Sequence, residues 1–322
     1  MDTSTRLQQL SDTKRLALLR LLENKNIGND RLLTIEGSNV KMLRSGSPNL
    51  FIYPATDGSV SYMNNYLPHI PEQWGVYALQ TPGMDGEQQP YDTVADLAAH
   101  GIREIRRIQP SGPYHIAGNC MGGLPAYETA RQLHEQGERT GLVLHLMPNF
   151  NRPWKTLPTD SDSLHQRAIV DYVYIIERLL KVKIDLPWDE LTGLDENEQI
   201  EFVARYIGER DLVSGMDLEV FRKRLGIYKA NLSAMLTYAP PAGFDGKVTI
   251  IAVGESAREE RVISPRSPYS APVRAVHREQ QIDTTFVDAD GGALFDGAEP
   301  DIMRIGAHIT RIITSVDDTN PA

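Results

Sequence analysis

Apolar positions along this chain follow two rhythms. Short apolar runs recur at Asn49 to Tyr53, Val76 to Gln80, Tyr114 to Ala117 and Leu142 to Leu146. Bounded by Gly, Pro or Asn, runs of this kind read as buried strands. Between them, Val94, Leu97, Ile102, Ile105 and Ile108 mark the core face of a helix, and Leu124 to Gln136 reads as another. Upstream, Leu32 to Ile35 and Val40 to Leu43 flank Glu36-Gly37-Ser38-Asn39, which predicts a hairpin. Alternating strand and helix predicts an α/β architecture: a doubly wound, mostly parallel sheet with helices on both faces.

The pattern changes after residue 158. Residues 159–237 are helical in periodicity and hold no convincing strand. Strand signals return at Val248 to Val253 and Thr284 to Val287, and Pro300 opens a last helix carrying Ile302, Ile305, Ile309 and Ile312. The predicted organisation is therefore an N-terminal helix and linker (1–30), the first part of a core (31–158), an inserted helical lid (159–237) and the second part of the core (238–322). Within 1–30, Leu7, Leu10, Leu18, Leu21 and Leu22 form one stripe, which predicts an amphipathic helix over 6–24 that docks on its own domain or on a partner. Ser256 to Gln281 is rich in Arg, Pro and Ser and reads as a long loop.

Composition narrows the function classes. The chain has 322 residues, 41% hydrophobic and 24% charged, with a net charge of -10. Those proportions suit a globular protein with a substantial core, and the charge argues against a nucleic-acid partner. No run reaches the length of a membrane span, and the first residues lack a signal-peptide core. One cysteine excludes an internal disulfide and a multi-cysteine zinc site, which predicts a reducing cytoplasm and no bound metal.

That cysteine carries the candidate chemistry. Gly118-Asn119-Cys120-Met121-Gly122 follows the run Tyr114 to Ala117 and opens the helical stretch beginning at Leu124. A nucleophile on a sharp strand-to-helix turn requires small residues two before and two after it, and Gly118 and Gly122 meet that need. Gly123 lets the following helix lie close to the strand. The turn aims Cys120 out of the sheet near the positive end of a helix, where a thiolate is favoured.

These landmarks resemble the thioesterase domains of nonribosomal-peptide and polyketide assembly lines, within the α/β-hydrolase fold. The resemblance spans about residues 40–315. It rests on Gly112 to Gly118, the elbow, Ala126 to Leu133, and Val76 to Glu87, with further familial segments at Leu194 to Gln199 and Tyr228 to Tyr238. It implies an acyl substrate delivered as a thioester on the phosphopantetheine arm of a peptidyl or acyl carrier protein or synthetase module, with no bound cofactor. The leucine-rich N-terminus, with Leu10 to Arg15, looks like synthetase linker sequence and leaves carrier docking open.

The departures from that family shape the expected mechanism. Serine is replaced by Cys120. The familial catalytic aspartate position falls at Met147, and the histidine expected after Gly291-Gly292 is Ala293. A thiol with an unperturbed pKa near 8.5 attacks a thioester without the adjacent base that a serine needs. Water, in contrast, needs general-base help. The expectation is therefore an acyl or aminoacyl transferase or chain-releasing enzyme working through a Cys120 thioester. Its backbone oxyanion donors are expected at Met121 and in the loop at Ala55 and Thr56. Alternatives are a Dieckmann-type cyclase, a hydrolytic thioesterase with a relocated base, and a non-catalytic thioesterase-like binding protein. His277 in the long loop is the candidate relocated base. Asp57 is either a turn cap or an acceptor for a substrate amine, and Asp290 either a loop carboxylate or a base.

Overall fold

A computed structural model describes residues 33–35, 38–84, 88–146, 163–180, 182–209, 218–239, 243–253, 281–290 and 292–319. The predicted helix over 6–24, Met147 and His277 lie outside the described residues.

The short apolar runs are strands: β1 (Leu33–Thr34), β2 (Val40–Arg44), β3 (Asn49–Tyr53), β4 (Gly75–Leu79), β5 (Tyr114–Asn119), β6 (Thr140–Leu146), β7 (Lys247–Val253) and β8 (Gln281–Val287). They form one sheet in the order β1-β2-β4-β3-β5-β6-β7-β8. The predicted hairpin is present as the antiparallel β1–β2 pair, β2 also runs antiparallel to β4, and the remaining pairings are parallel. This is the mostly parallel α/β-hydrolase sheet.

Because a parallel sheet is covered on both faces, its strands are apolar at odd and even positions alike. In β3, Leu50 and Ile52 join one core cluster, while Phe51 and Tyr53 join another. The first cluster is closed by Ile302, Ile305, Ile309 and Ile313 of the last helix (Asp301–Thr319). The second is closed by Ile102 and Ile105 of α1 (Val94–Ile108) and by Ala126 and Leu133 of α2 (Gly123–Glu135). Each such side chain contributes about 2 kcal/mol of burial free energy relative to exposure. Thr93 starts α1 by accepting the Asp96 N–H at 3.1 Å.

Among the described residues, 163–180, 182–209 and 218–229 belong to a second compact unit. It is helical, as its periodicity predicts: α3 (Leu164–Leu180), α4 (Trp188–Leu191), α5 (Glu196–Glu209) and the first turns of α6 (Leu218–Thr237). Tyr172 packs on Phe221 and Tyr228 at centroid distances of 5.7 and 5.8 Å. Asp195 and Glu198 exchange backbone-to-carboxylate hydrogen bonds of 2.9 Å at the head of α5, a reciprocal cap legible in the sequence. No helix among the described residues is long and apolar enough to cross a membrane.

The strand order also says where a site belongs. From β3 the chain turns to β4 on one side, then crosses back to β5 on the other. The crevice at the carboxyl ends of β3 and β5 is thus a topological switch point, where open α/β sheets bind ligands. Tyr53 and Gly118 are paired there.

Candidate active site

At the carboxyl end of β5, Cys120 adopts φ 53°, and no other non-glycine residue described has a positive φ. That conformation costs a side-chain-bearing residue about 1–3 kcal/mol and persists only where the surroundings enforce it. The surroundings here are backbone. A Cβ on Gly118 would overlap the Gly122 carbonyl, and one on Gly122 would overlap the Pro54 carbonyl. A Cβ on Gly123 would overlap the ring of His145. All three glycines are therefore required by close approach, as the motif predicts. Cys120 to Gly122 forms a 3-10 turn that runs directly into α2. The thiol is partly exposed and packs against the cluster that contains Ala55, Tyr62 and Ala293.

His145 had no role in the sequence reading. It lies on β6 opposite Gly118, is buried, and its Nε2 stands 2.6 Å from the Cys120 carbonyl oxygen. A carbonyl can only accept, so Nε2 carries the proton and donates. This bond ties the apex of the strained turn to the neighbouring strand. The available signal was a lone imidazole interrupting the apolar run Leu142 to Leu146.

The loop after β3 is held as firmly. The Gly58 N–H donates to the Ala55 carbonyl at 2.9 Å, closing a turn that contains Asp57. Asn231 on α6, also missed from sequence, donates from Nδ2 to the Thr56 carbonyl at 2.8 Å. The Ala55 N–H, assigned from sequence as an oxyanion donor, already donates to the Tyr62 hydroxyl at 2.9 Å. Tyr62 is 4% exposed, on a 3-10 turn (Ser61–Asn65) that the periodicity did not predict. Asn119, fully buried, places its amide beside this phenol, and Asp57 and Cys120 are near enough to act on it electrostatically. Burial first, and the Asp57 charge second, push the Tyr62 hydroxyl well above the ordinary tyrosine value.

Where the familial histidine is expected, Ala293 is buried at the start of a one-turn helix (Ala293–Asp296). Leu294 is buried beside it, and the Phe295 ring packs on Tyr62 at 4.7 Å. Asp290 is exposed, and its Oδ1 accepts the Gly292 N–H at 2.9 Å, so this carboxylate caps the turn. The structure thus brings Cys120, Ala55, Tyr62 and Ala293 into one cluster.

The sequence model of the thioesterase domain matches residues 48–243. The chain is 37% identical over 124 residues to the non-reducing polyketide synthase PKS16 of Cladonia grayi, covering 38% of this chain and 6% of that protein. It is 36% identical over 120 residues to a dimodular nonribosomal peptide synthase of Bacillus subtilis (strain 168), covering 36% and 5%. The chain thus spans only a small fraction of the length of these relatives. Among solved structures, a four-domain nonribosomal peptide synthetase, holo-AB3403, aligns with a TM-score of 0.66 and 20% identity, covering 96% of this chain and 22% of that one. The RedJ thioesterase from the prodiginine pathway of Streptomyces coelicolor aligns at 0.51 and 18%, covering 83% and 91%. At these identities the structural likeness establishes the fold.

Proposed function

From the premise that this chain belongs to the thioesterase-domain family, we propose that it captures acyl or aminoacyl groups from carrier-protein thioesters on Cys120 and passes them to a nucleophile other than water. The observation that carries this reading is Cys120 at φ 53° on an intact elbow, with a buried alanine, Ala293, where the resemblance leads one to expect a histidine. Capture exchanges one thioester for another. The Cys120 thiolate forms a C–S bond to the acyl carbon, the carbonyl electron pair moves to oxygen, and collapse of the adduct expels the pantetheine thiolate. That leaving group needs no proton near neutral pH, so the half-reaction needs no imidazole. Release to water does need a base. A thiol, an amine or a carbon nucleophile within the chain is the better acceptor, so transfer or cyclisation fits better than hydrolysis. The partner in this reading is a peptidyl or acyl carrier protein, which the polyketide and nonribosomal peptide synthases among the relatives support.

The test is intact-protein mass spectrometry after incubation with acetyl-, hexanoyl- and glycyl-pantetheine. The expected result is a single acyl adduct that persists in water for many minutes and is discharged by added cysteamine. Cys120→Ala is expected to show no adduct. Cys120→Ser should form its ester about 10⁶-fold more slowly, the order of loss when a triad serine loses its histidine base. An adduct that survives Cys120→Ala, or an adduct absent from the parent chain, overturns the reading.

A further inference from the structure

Of the two loop donors expected for the oxyanion, at Ala55 and Thr56, the Ala55 N–H is already engaged. In an acyl-transfer site the developing O⁻ sits about 2.7–3.1 Å from its donors. A hydroxyl oxygen already stands 2.9 Å from the Ala55 nitrogen, that of Tyr62. The phenol is anchored on several sides: its ring packs on Phe295 and tilts against Tyr66 at 6.4 Å, and its oxygen lies beside the Asn119 amide. The loop presenting Ala55 is fixed by the Gly58 and Asn231 bonds, so it is not free to turn this N–H elsewhere.

We propose that the second donor to the acyl oxyanion is the Tyr62 O–H, with the Ala55 N–H acting through it. The inference rests on the Cys120 capture reading and deepens it. A phenol has one proton and two lone pairs, so it accepts from Ala55 while donating its own proton elsewhere. Accepting a hydrogen bond polarises the O–H and makes it a better donor. Burial keeps the phenol protonated through the working pH range, as a donor must be. No proton is transferred: as the Cys120 C–S bond forms and charge builds on the carbonyl oxygen, Met121 N–H and Tyr62 O–H hold it. The same bonds relax when the pantetheine C–S bond breaks. The site thereby offers a side-chain donor in place of the Ala55 N–H and sets a phenol close enough to Cys120 to feel it electrostatically.

Tyr62→Phe tests this, because it keeps the ring and removes only the hydroxyl. Acyl capture from acetyl-pantetheine should fall about 10²–10³-fold, the cost of one oxyanion donor. Alkylation of Cys120 by iodoacetamide, which develops no oxyanion, should stay within about twofold of the parent rate. Unchanged capture overturns the donor role. Faster capture overturns it too, since the phenol would then be a plug in the hole. A parallel fall in alkylation assigns the effect to thiol placement and likewise overturns it. Should Tyr62→Phe not fold, a fluorinated tyrosine at position 62 keeps the packing and raises O–H acidity. Capture several-fold faster supports the proposal, and capture unmoved overturns it. A parent chain that alkylates but never captures an acyl group overturns the capture reading itself, a result separate from failure of the Tyr62 variant alone.

Discussion

The nucleophile elbow and the segment 288–296 lie against the same core cluster, and they are built to different tolerances. At the elbow, three glycines are fixed by backbone or ring atoms that leave no room for a Cβ, and His145 fastens the apex carbonyl. Among the described residues of 288–296, side chains fill the space: Ala293 and Leu294 are buried, Phe295 packs at a tilt on Tyr62, and Asp290 caps its own turn. The first region holds a strained conformation, the one that the proposed Cys120 capture would use. The second is ordinary packing where a family histidine is expected. The contrast fits a thiol mechanism: a thiolate needs the turn and the oxyanion donors, but it does not need imidazole to become nucleophilic.

The largest stability effect expected is at the elbow. Gly123→Ala should cost about 4 kcal/mol, combining overpacking with loss of the His145–Cys120 bond. His145→Ala added to it should recover part of that loss, because the two residues meet directly. Urea melts of the single and double variants measure the coupling. A single-variant cost under about 1 kcal/mol would show that the elbow is not tightly built and would erase the contrast.

The next effect lies along α2, the helix that the elbow opens. Buried Glu128 accepts from Arg131 Nε and Nη2 at 2.8 Å each, from Gln132, and from the Tyr238 hydroxyl at 2.7 Å. Burial alone would raise its pKa, but these donors outweigh it and hold the carboxyl below the ordinary glutamate value of 4.5. Glu128→Gln should cost about 3 kcal/mol near neutral pH by leaving Arg131 poorly matched. A depressed folded pKa contributes stability that is full above about pH 4.5 and is lost as pH falls through the lower folded value. The parent chain should therefore lose stability more steeply than Glu128→Gln as pH falls below about 4.5. Equal slopes would mean that the carboxylate carries no charge-dependent stability.

The smallest of the three sharpens the comparison from the other side. Ala293→His inserts a ring into a filled site and should cost about 2 kcal/mol without accelerating water release of the Cys120 adduct. Denaturation together with adduct lifetime by mass spectrometry checks both. Rapid hydrolysis in this variant would show that room for a base remains, and the two regions would then differ by one substitution rather than by packing.

Hydrophobic periodicity was enough to locate the sheet strands and their long helices, because their two periods differ and each is long enough to read. The sequence also determined the elbow, because Gly-x-Cys-x-Gly after an apolar run and before a helical one has few other uses. It did not reveal His145, Tyr62 or Asn231. These residues act on backbone atoms outside their own element, at separations of 25, 7 and 175 residues, and no hydrophobic period encodes such contacts. The sequence could report that an imidazole is missing after Gly291-Gly292, but only the tertiary structure placed Tyr62 on the Ala55 N–H. A hydrogen bond across a folded crevice depends on where two backbones converge, and the strand order β4-β3-β5 decides that convergence.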